Sequence, residues 1–214
     1  MTWLFPIIGV TLVASFRGFK RPEFLRQWLM IPVRVVEQRE WHRIITHGFI
    51  HSDTTHLFLN MFVLWSFGGT VEDAFRAGEL DSPVFGLTGN WTFPILYFGG
   101  LVAAALPALT KHRDDPSYAS LGASGAVSAV MMAFILMYPT SKLLMMFVIP
   151  MPAVVAGLLF FVYESHMNRR GRTRIAHDAH LVGALFGAAL VLIYNPGLLP
   201  EAVQALRDSI ARWF

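Results

Sequence analysis

Residues Ser117–Pro139 read SYASLGASGAVSAVMMAFILMYP. A polar approach, Asp114 to Ser120, gives way to Gly122-Ala123-Ser124-Gly125. An uncharged apolar run about one membrane thickness long follows, and Pro139 stops it. Such a run is a candidate spanning helix. Glycines at its mouth let a neighbouring helix come close. A hydroxyl in that place is either packing filler or a nucleophile, and the rest of the chain has to decide.

Composition sets the frame. The chain has 214 residues, of which 55% are hydrophobic and 14% charged, with a mean hydropathy of +0.51. Soluble domains carry about 25% charged residues, so this is the profile of a multi-span membrane protein in one domain. The net charge is +3. Its basic residues lie between apolar runs, which points to lipid headgroups and away from nucleic acid. The absence of cysteine excludes disulfides, thiol catalysis and cysteine metal sites. The N-terminal run Trp3 to Phe16 lacks a basic leader and a small-residue cleavage site, and reads as a retained first span.

Six spans are expected: Met1 to Phe16, and then about His56 to Val71, Thr92 to Leu109, Leu121 to Tyr138, Leu143 to Tyr163 and His177 to Tyr194. Pro150 and Pro152 should kink or break the fifth. The loop Arg17 to Thr55 is too apolar for a free linker, and is expected to sit partly in the membrane. The fold class is therefore an all-α polytopic bundle, with a membrane domain over 1–195 and a tail over 196–214. In the tail Val203, Leu206, Ile210 and Trp213 recur at helical spacing, as in an amphipathic helix on a membrane surface. The connections after spans one, three and five hold 7, 2 and 4 Lys/Arg, and those after two, four and six hold 1, 1 and 2. By the positive-inside rule the first group would be cytoplasmic.

Polar groups inside spans are costly and default to functional hypotheses. His56 and Asn60 share a face at the start of span two, Ser124 opens span four, and His180 lies near the start of span six. Spans two, four and six begin on the same side, so all four groups fall at similar depth. A Ser hydroxyl needs a base, and His is the usual one. Attack on a carbonyl needs donors for the developing oxyanion, and His56, Asn60 and the Ser124 backbone N–H are placed to supply them. Gly183 and Gly187 follow His180 on its helix face and would let that helix approach Gly122 and Gly125. Each feature alone has a plainer reading: small-residue packing, an interfacial His, an Asn bonded to a neighbour. Their convergence favours the catalytic one. His47, His51 and His56, with His177 and His180, raise a metal site, but no carboxylate lies between His47 and His51 as in His-Glu-x-x-His, and no metal is expected. Asp178 is expected to face water or cap its helix.

These residues resemble the rhomboid intramembrane serine proteases. HLFLN (56–60) fits the family's His-x-x-x-Asn, GGTVE (68–72) its Gly-Gly-x-x-Glu, GASG (122–125) its Gly-x-Ser-Gly and AHLVGALFG (179–187) its Ala-His-x-x-Gly-x-x-x-Gly. THGFIH (46–51), and Trp41 with Arg43, are also family-like. The resemblance implies a six-helix bundle and a Ser124–His180 dyad without an acid. It implies cleavage of peptide bonds in or near transmembrane segments of single-span substrates in the lipid bilayer, with no cofactor and no nucleic acid. The alternative is a pseudoprotease that binds helices without cleaving them, although such members lack the nucleophile or the base. A bacterial plasma membrane is expected, with the site opening to the extracytoplasmic face, against the basic-residue count. Ser128 stands where many members stack an aromatic ring on the catalytic His, so something else must hold His180. Span five, weakened by its prolines and carrying Phe147, Phe160 and Phe161, is the expected lateral gate for substrate.

Overall fold

Small residues set how closely the helices pack. The computed structural model describes residues 2–78, 89–145, 148–170 and 175–211; Phe147 and Trp213 lie outside them. The long helices are α1 (Leu4–Lys20), α5 (Thr54–Ala77), α6 (Gly89–Lys111), α7 (Ser124–Met137), α8 (Ala153–Arg170), α9 (His177–Tyr194) and α10 (Leu198–Ala211). The first loop is built from α2 (Pro22–Trp28), α3 (Pro32–Glu37), α4 (Arg43–Thr46) and a 3-10 turn, His47–Phe49. The protein is thus a mostly helical bundle. By length and apolarity α6 and α9 suffice to cross a membrane, and α7 is shorter and apolar throughout.

Helix α7 lies at the centre, packed on α5, α6, α8 and α9. Three pairs of small residues at i, i+4 spacing meet there. A methyl group built on Gly183 or Gly187 of α9 would land on the carbonyl oxygen of Gly125 or Ala129 of α7. On the other side, Gly125 meets Ala104 and Ala129 meets Gly100, both of α6. Backbones therefore touch backbones, the arrangement by which membrane helices gain dispersion contact without water to drive them together. Gly122 has a different role from the one its spacing suggested. It precedes α7 at φ +113°, and a side chain there would meet the His56 ring, not α9. That left-handed backbone excludes most other residues.

The Gly-Gly-x-x-Glu motif seats α1. Gly68 makes room for Leu4, and the buried Glu72 carboxylate accepts the free N–H groups of Trp3 and Leu4 at the α1 N-terminus. A carboxylate there satisfies orphan donors and complements the helix dipole. In the first loop, the buried Arg43 guanidinium pairs with Glu40 and donates to the Arg26 and Leu29 carbonyls. Met30 and Ser120 exchange backbone hydrogen bonds, which ties this loop to the approach to Ser124.

Span five departs from expectation. Lys142–Met145 (β1) pairs antiparallel with Ile149–Pro152 (β2), and the helix begins only at Ala153. The cause is local: Pro150 and Pro152 have no N–H to give a helix, and each pushes the residue before it into the extended region. In α10 the buried stripe is Leu198, Ala202, Ala205 and Ser209, whereas Val203 and Ile210 stay exposed on another face. Large apolar side chains also cover the outside of the bundle, among them Phe5, Val13, Trp65, Val162 and Leu185. So much exposed apolar surface belongs to a protein whose surroundings are lipid.

The packing gives a test. Gly187→Ala forces a methyl into a backbone contact that no rotamer relieves. It should destabilise the fold by about 1–3 kcal/mol and weaken any activity that needs α9 against α7. Gly9→Ala, where a Cβ meets nothing within 4 Å, should be neutral or up to about 1 kcal/mol stabilising. Thermal unfolding of both variants in detergent checks this; equal effects would show that the close approach is not limiting.

Candidate active site

Ser124 is the first residue of α7, so its backbone N–H lies among the unpaired donors of a helix N-terminus. One turn into α9, the His180 ring faces it, with Nε2 2.8 Å from Ser124 Oγ. The close α7–α9 contact sets that distance, since Gly183 is the next residue on the face that His180 occupies.

Across the ring, His180 Nδ1 lies 3.1 Å from Glu164 Oε1, and Glu164 Oε2 lies 2.6 Å from His177 Nδ1. Glu164 comes from α8 and is 5% exposed. Two imidazole N–H groups thus hold one buried carboxylate. With Nδ1–H donated to Glu164, His180 keeps its Nε2 lone pair toward the Ser124 hydroxyl, the tautomer a general base requires. His177 meets the His180 ring edge-on at 6.1 Å between centroids. Its own Nε2 is buried and has no hydrogen-bond partner among the described residues. Here is the support for His180 that Ser128, buried in α7, does not provide. Sequence reading missed Glu164 because the apolar run was ended at Tyr163, one residue short. An acid continuous with an apolar helix is the signal that would have found it.

On α5, Asp53 caps the helix by accepting His56 N–H at 2.9 Å. The Ser52 hydroxyl bridges Asp53 Oδ2 (2.7 Å) and His56 Nδ1 (3.1 Å). With that hydroxyl donated to Asp53, His56 Nδ1–H donates to Ser52 Oγ; the ring offers a donor at Nε2, the nitrogen nearest Gly122, when the hydroxyl turns from Asp53 to Nδ1. Asn60 is buried and gives one amide N–H to the His56 carbonyl at 2.9 Å, which leaves the other uncommitted. A cavity of about 30 Å³ bordered by Ser124, Gly122, Ser120, Tyr118 and Asp178 adjoins the serine, enough for a water molecule. The half-buried Asp178 pairs with Lys111 at 2.6 Å and accepts from its neighbour Ala179 N–H; no bond between it and the His180 ring is found among the described residues.

The loop before Ser124 is held from below. Gly122 N–H donates to the His47 carbonyl at 2.9 Å, and Ala123 N–H to His51 Nε2 at 3.4 Å. His51 Nδ1 then donates to Ser15 Oγ at 3.0 Å, and Ser15 to the Phe49 carbonyl at 3.0 Å. Both ring nitrogens of His51 are thereby engaged, and His47 Nδ1 donates to the Arg43 carbonyl at 2.9 Å. Among the described residues, the group that could hold a metal is Glu164, His177 and His180, whose ligand atoms lie within 4.8 Å of one another.

Residues 38–196 match the model of the Rhomboid domain, and the chain belongs to the rhomboid family. It is 30% identical over 184 residues to RHOMBOID-like protein 12, mitochondrial, of Arabidopsis thaliana, which covers 85% of this chain and 54% of that protein. It is 27% identical over 219 residues to Rhomboid protein 1, mitochondrial, of Saccharomyces cerevisiae (99% and 58%). It is 29% identical over 174 residues to Presenilin-associated rhomboid-like protein A, mitochondrial, of Danio rerio (80% and 41%). The chain spans about half the length of these curated relatives. All three are mitochondrial proteins, and that finding overturns the expectation of a bacterial plasma membrane with an extracytoplasmic opening.

Burial gives the loop a pH signature. It pushes His47 down to about 4 and His51 down to about 3, in His51 with help from the neighbouring His56. Both are neutral in the fold, whereas the unfolded chain takes up protons below about 6.5. The stability they contribute is therefore complete above about pH 6.5 and lost as pH falls toward their folded values. Between about pH 6.5 and 5, above the carboxylate range, the melting temperature should fall, and His51→Gln should flatten that slope. An unchanged slope would mean His51 does not titrate on unfolding.

Proposed function

We propose that the protein is a serine endopeptidase that cleaves membrane-protein substrates within the bilayer, with α1, α5, α6, α7, α8 and α9 as its six spans. One observation carries this: a serine hydroxyl at a helix N-terminus, 2.8 Å from an imidazole Nε2 whose far side is anchored. A pseudoprotease needs neither group, and both are present in bonding geometry.

The chemistry follows from the positions. Ser124 Oγ attacks the scissile carbonyl carbon while its proton moves to His180 Nε2. The carbonyl π electrons move to oxygen, where the Ser124 backbone N–H, the Asn60 amide and the His56 ring are the donors available to meet the charge. Collapse of the adduct breaks the C–N bond, and His180 returns the proton to the leaving nitrogen. Water then attacks the acyl-serine with His180 again as base. The partly polar cavity beside Ser124 has room for that water. Single-span proteins are the simplest substrates for such a site. The names of the relatives extend to this chain a mitochondrial membrane as its bilayer.

Purified protein, a labelled transmembrane substrate and a fluorophosphonate probe test the assignment. Ser124→Ala should lose both cleavage and labelling, and His180→Ala should lose cleavage, with melting temperatures preserved. Asn60→Ala should lower kcat about 10²- to 10³-fold with little change in KM. Cleavage by Ser124→Ala at the parent rate would overturn the assignment. A raised KM with kcat unchanged in Asn60→Ala would make Asn60 a binding or packing residue.

A further inference from the structure

We infer that Glu164 is the third member of the site. It is a positioning residue that holds His180 in its Nδ1–H tautomer, so that the protein works as a Ser124–His180–Glu164 triad with His177 steadying the acid. This rests on the protease reading and goes beyond the acid-free dyad that the family resemblance implies.

Four observations carry it. Glu164 Oε1 and Ser124 Oγ contact opposite nitrogens of one ring, at 3.1 Å and 2.8 Å. That is the order nucleophile, base, carboxylate in which an acid orients the imidazole and stabilises the imidazolium it becomes. Second, the carboxylate is buried among apolar helices, where an unpaired ion is costly. No Lys or Arg lies against it among the described residues; its partners are the two imidazoles. A negative charge kept next to a base that turns positive only in the transition state favours that state over the ground state. Third, His177 occupies the other carboxylate oxygen at 2.6 Å and is itself 3% exposed, so Glu164 has no freedom to turn away. Fourth, the two other acids near the start of α9 and α5 are spoken for: Asp178 by Lys111, and Asp53 by the α5 N-terminus. The titratable groups around His180 are then Glu164 from α8, His177 and Asp178 from its own helix, Lys111 of α6 through Asp178, and His56 from α5.

Glu164→Gln tests this in the 214-residue chain in detergent. The amide keeps the volume but can present an N–H to Nδ1 and favour the wrong tautomer. We expect kcat for a transmembrane substrate, and the rate at which fluorophosphonate labels Ser124, to fall by about 10²- to 10⁴-fold, with KM within about twofold of wild type and the melting transition retained. A purely structural role would instead shift KM and stability together. Asp178→Asn serves as the control acid and should retain wild-type kcat. Should Glu164→Gln fail to fold, the wild type decides: with ¹⁵N-histidine labelling, a far-downfield Nδ1–H proton should be present and should vanish in His180→Ala. An unprotonated His180 Nδ1 overturns the triad, as does a kcat for Glu164→Gln within about threefold of wild type. If Ser124→Ala is inactive and Glu164→Gln fully active, the dyad survives and the acid alone falls; if Ser124→Ala is active, the protease reading itself falls. Loss of wild-type cleavage on chelation, restored by zinc, would make Glu164, His177 and His180 metal ligands and overturn the inference.

Discussion

Gly183 and Gly187 carry the α9 backbone against the carbonyl oxygens of Gly125 and Ala129, and side-chain reach makes that separation a chemical requirement. An imidazole is short. With α9 displaced outward by even one methyl layer, His180 Nε2 would leave hydrogen-bond range of Ser124. The Gly100 and Ala104 face of α6 closes on the same stretch of α7 from the other side, so α7 has no direction in which to relax. Such tight interiors transmit small volume changes instead of absorbing them. Packing and site geometry are therefore one constraint here: the residues that let three helices touch also fix the distance between the His180 ring and the Ser124 hydroxyl.

A second constraint is electrostatic. The bundle buries one carboxylate, Glu164, with imidazole donors on both oxygens, and another, Glu72, at the N-terminus of α1. Each is matched to donors that the backbone or a ring already offers, so neither needs a strong cation inside lipid. The difference lies in what the donors do next. Backbone N–H groups stay neutral, and Glu72 only anchors a helix. An imidazole can take a second proton, and Glu164 then has a full opposite charge at 3.1 Å in a poorly screened setting.

How much of this could be read from the chain follows from the length scale of each signal. The apolar runs marked all six long helices before α10, and α9 agrees in its bounds, because a run of about 20 apolar residues is a signal summed over many side chains. Ser124, His180, His56 and Asn60 were visible as polar exceptions at matching depth in helices of the same direction. The hairpin at Lys142–Pro152 was hidden because its residues are apolar, and apolarity alone does not separate strand from helix; the two prolines were noted as a kink or break, but not as part of a strand. Glu164 was lost to a boundary one residue short, and its importance appears only when α8 is laid against α9, a contact that no spacing within either helix encodes. Gly122 was taken for helix packing because its positive φ has no signature beyond glycine itself.

Helix α8 was expected from its prolines and phenylalanines to yield sideways to substrate, and part of the structure fits that. Only Ala153, Gly157 and Glu164 of α8 are buried, Gly157 packs on Ile135, and the extended Ile149–Pro152 segment leaves its N-terminal end free of any helical continuation. Yet the same helix carries the carboxylate that grips His180 and His177. A sideways opening of its C-terminal half and an intact Glu164 contact exclude each other, because a contact of 3.1 Å does not survive a displacement wide enough to admit a peptide. The consequence is an ordering. On the protease reading proposed above, an α8 that stood open would leave His180 without its anchor, and one that closed on a seated substrate would restore it. Coupling of closure to assembly of the catalytic group is how a lid commits a substrate. On that reading, one buried carboxylate on the long helix with the fewest buried residues would provide it.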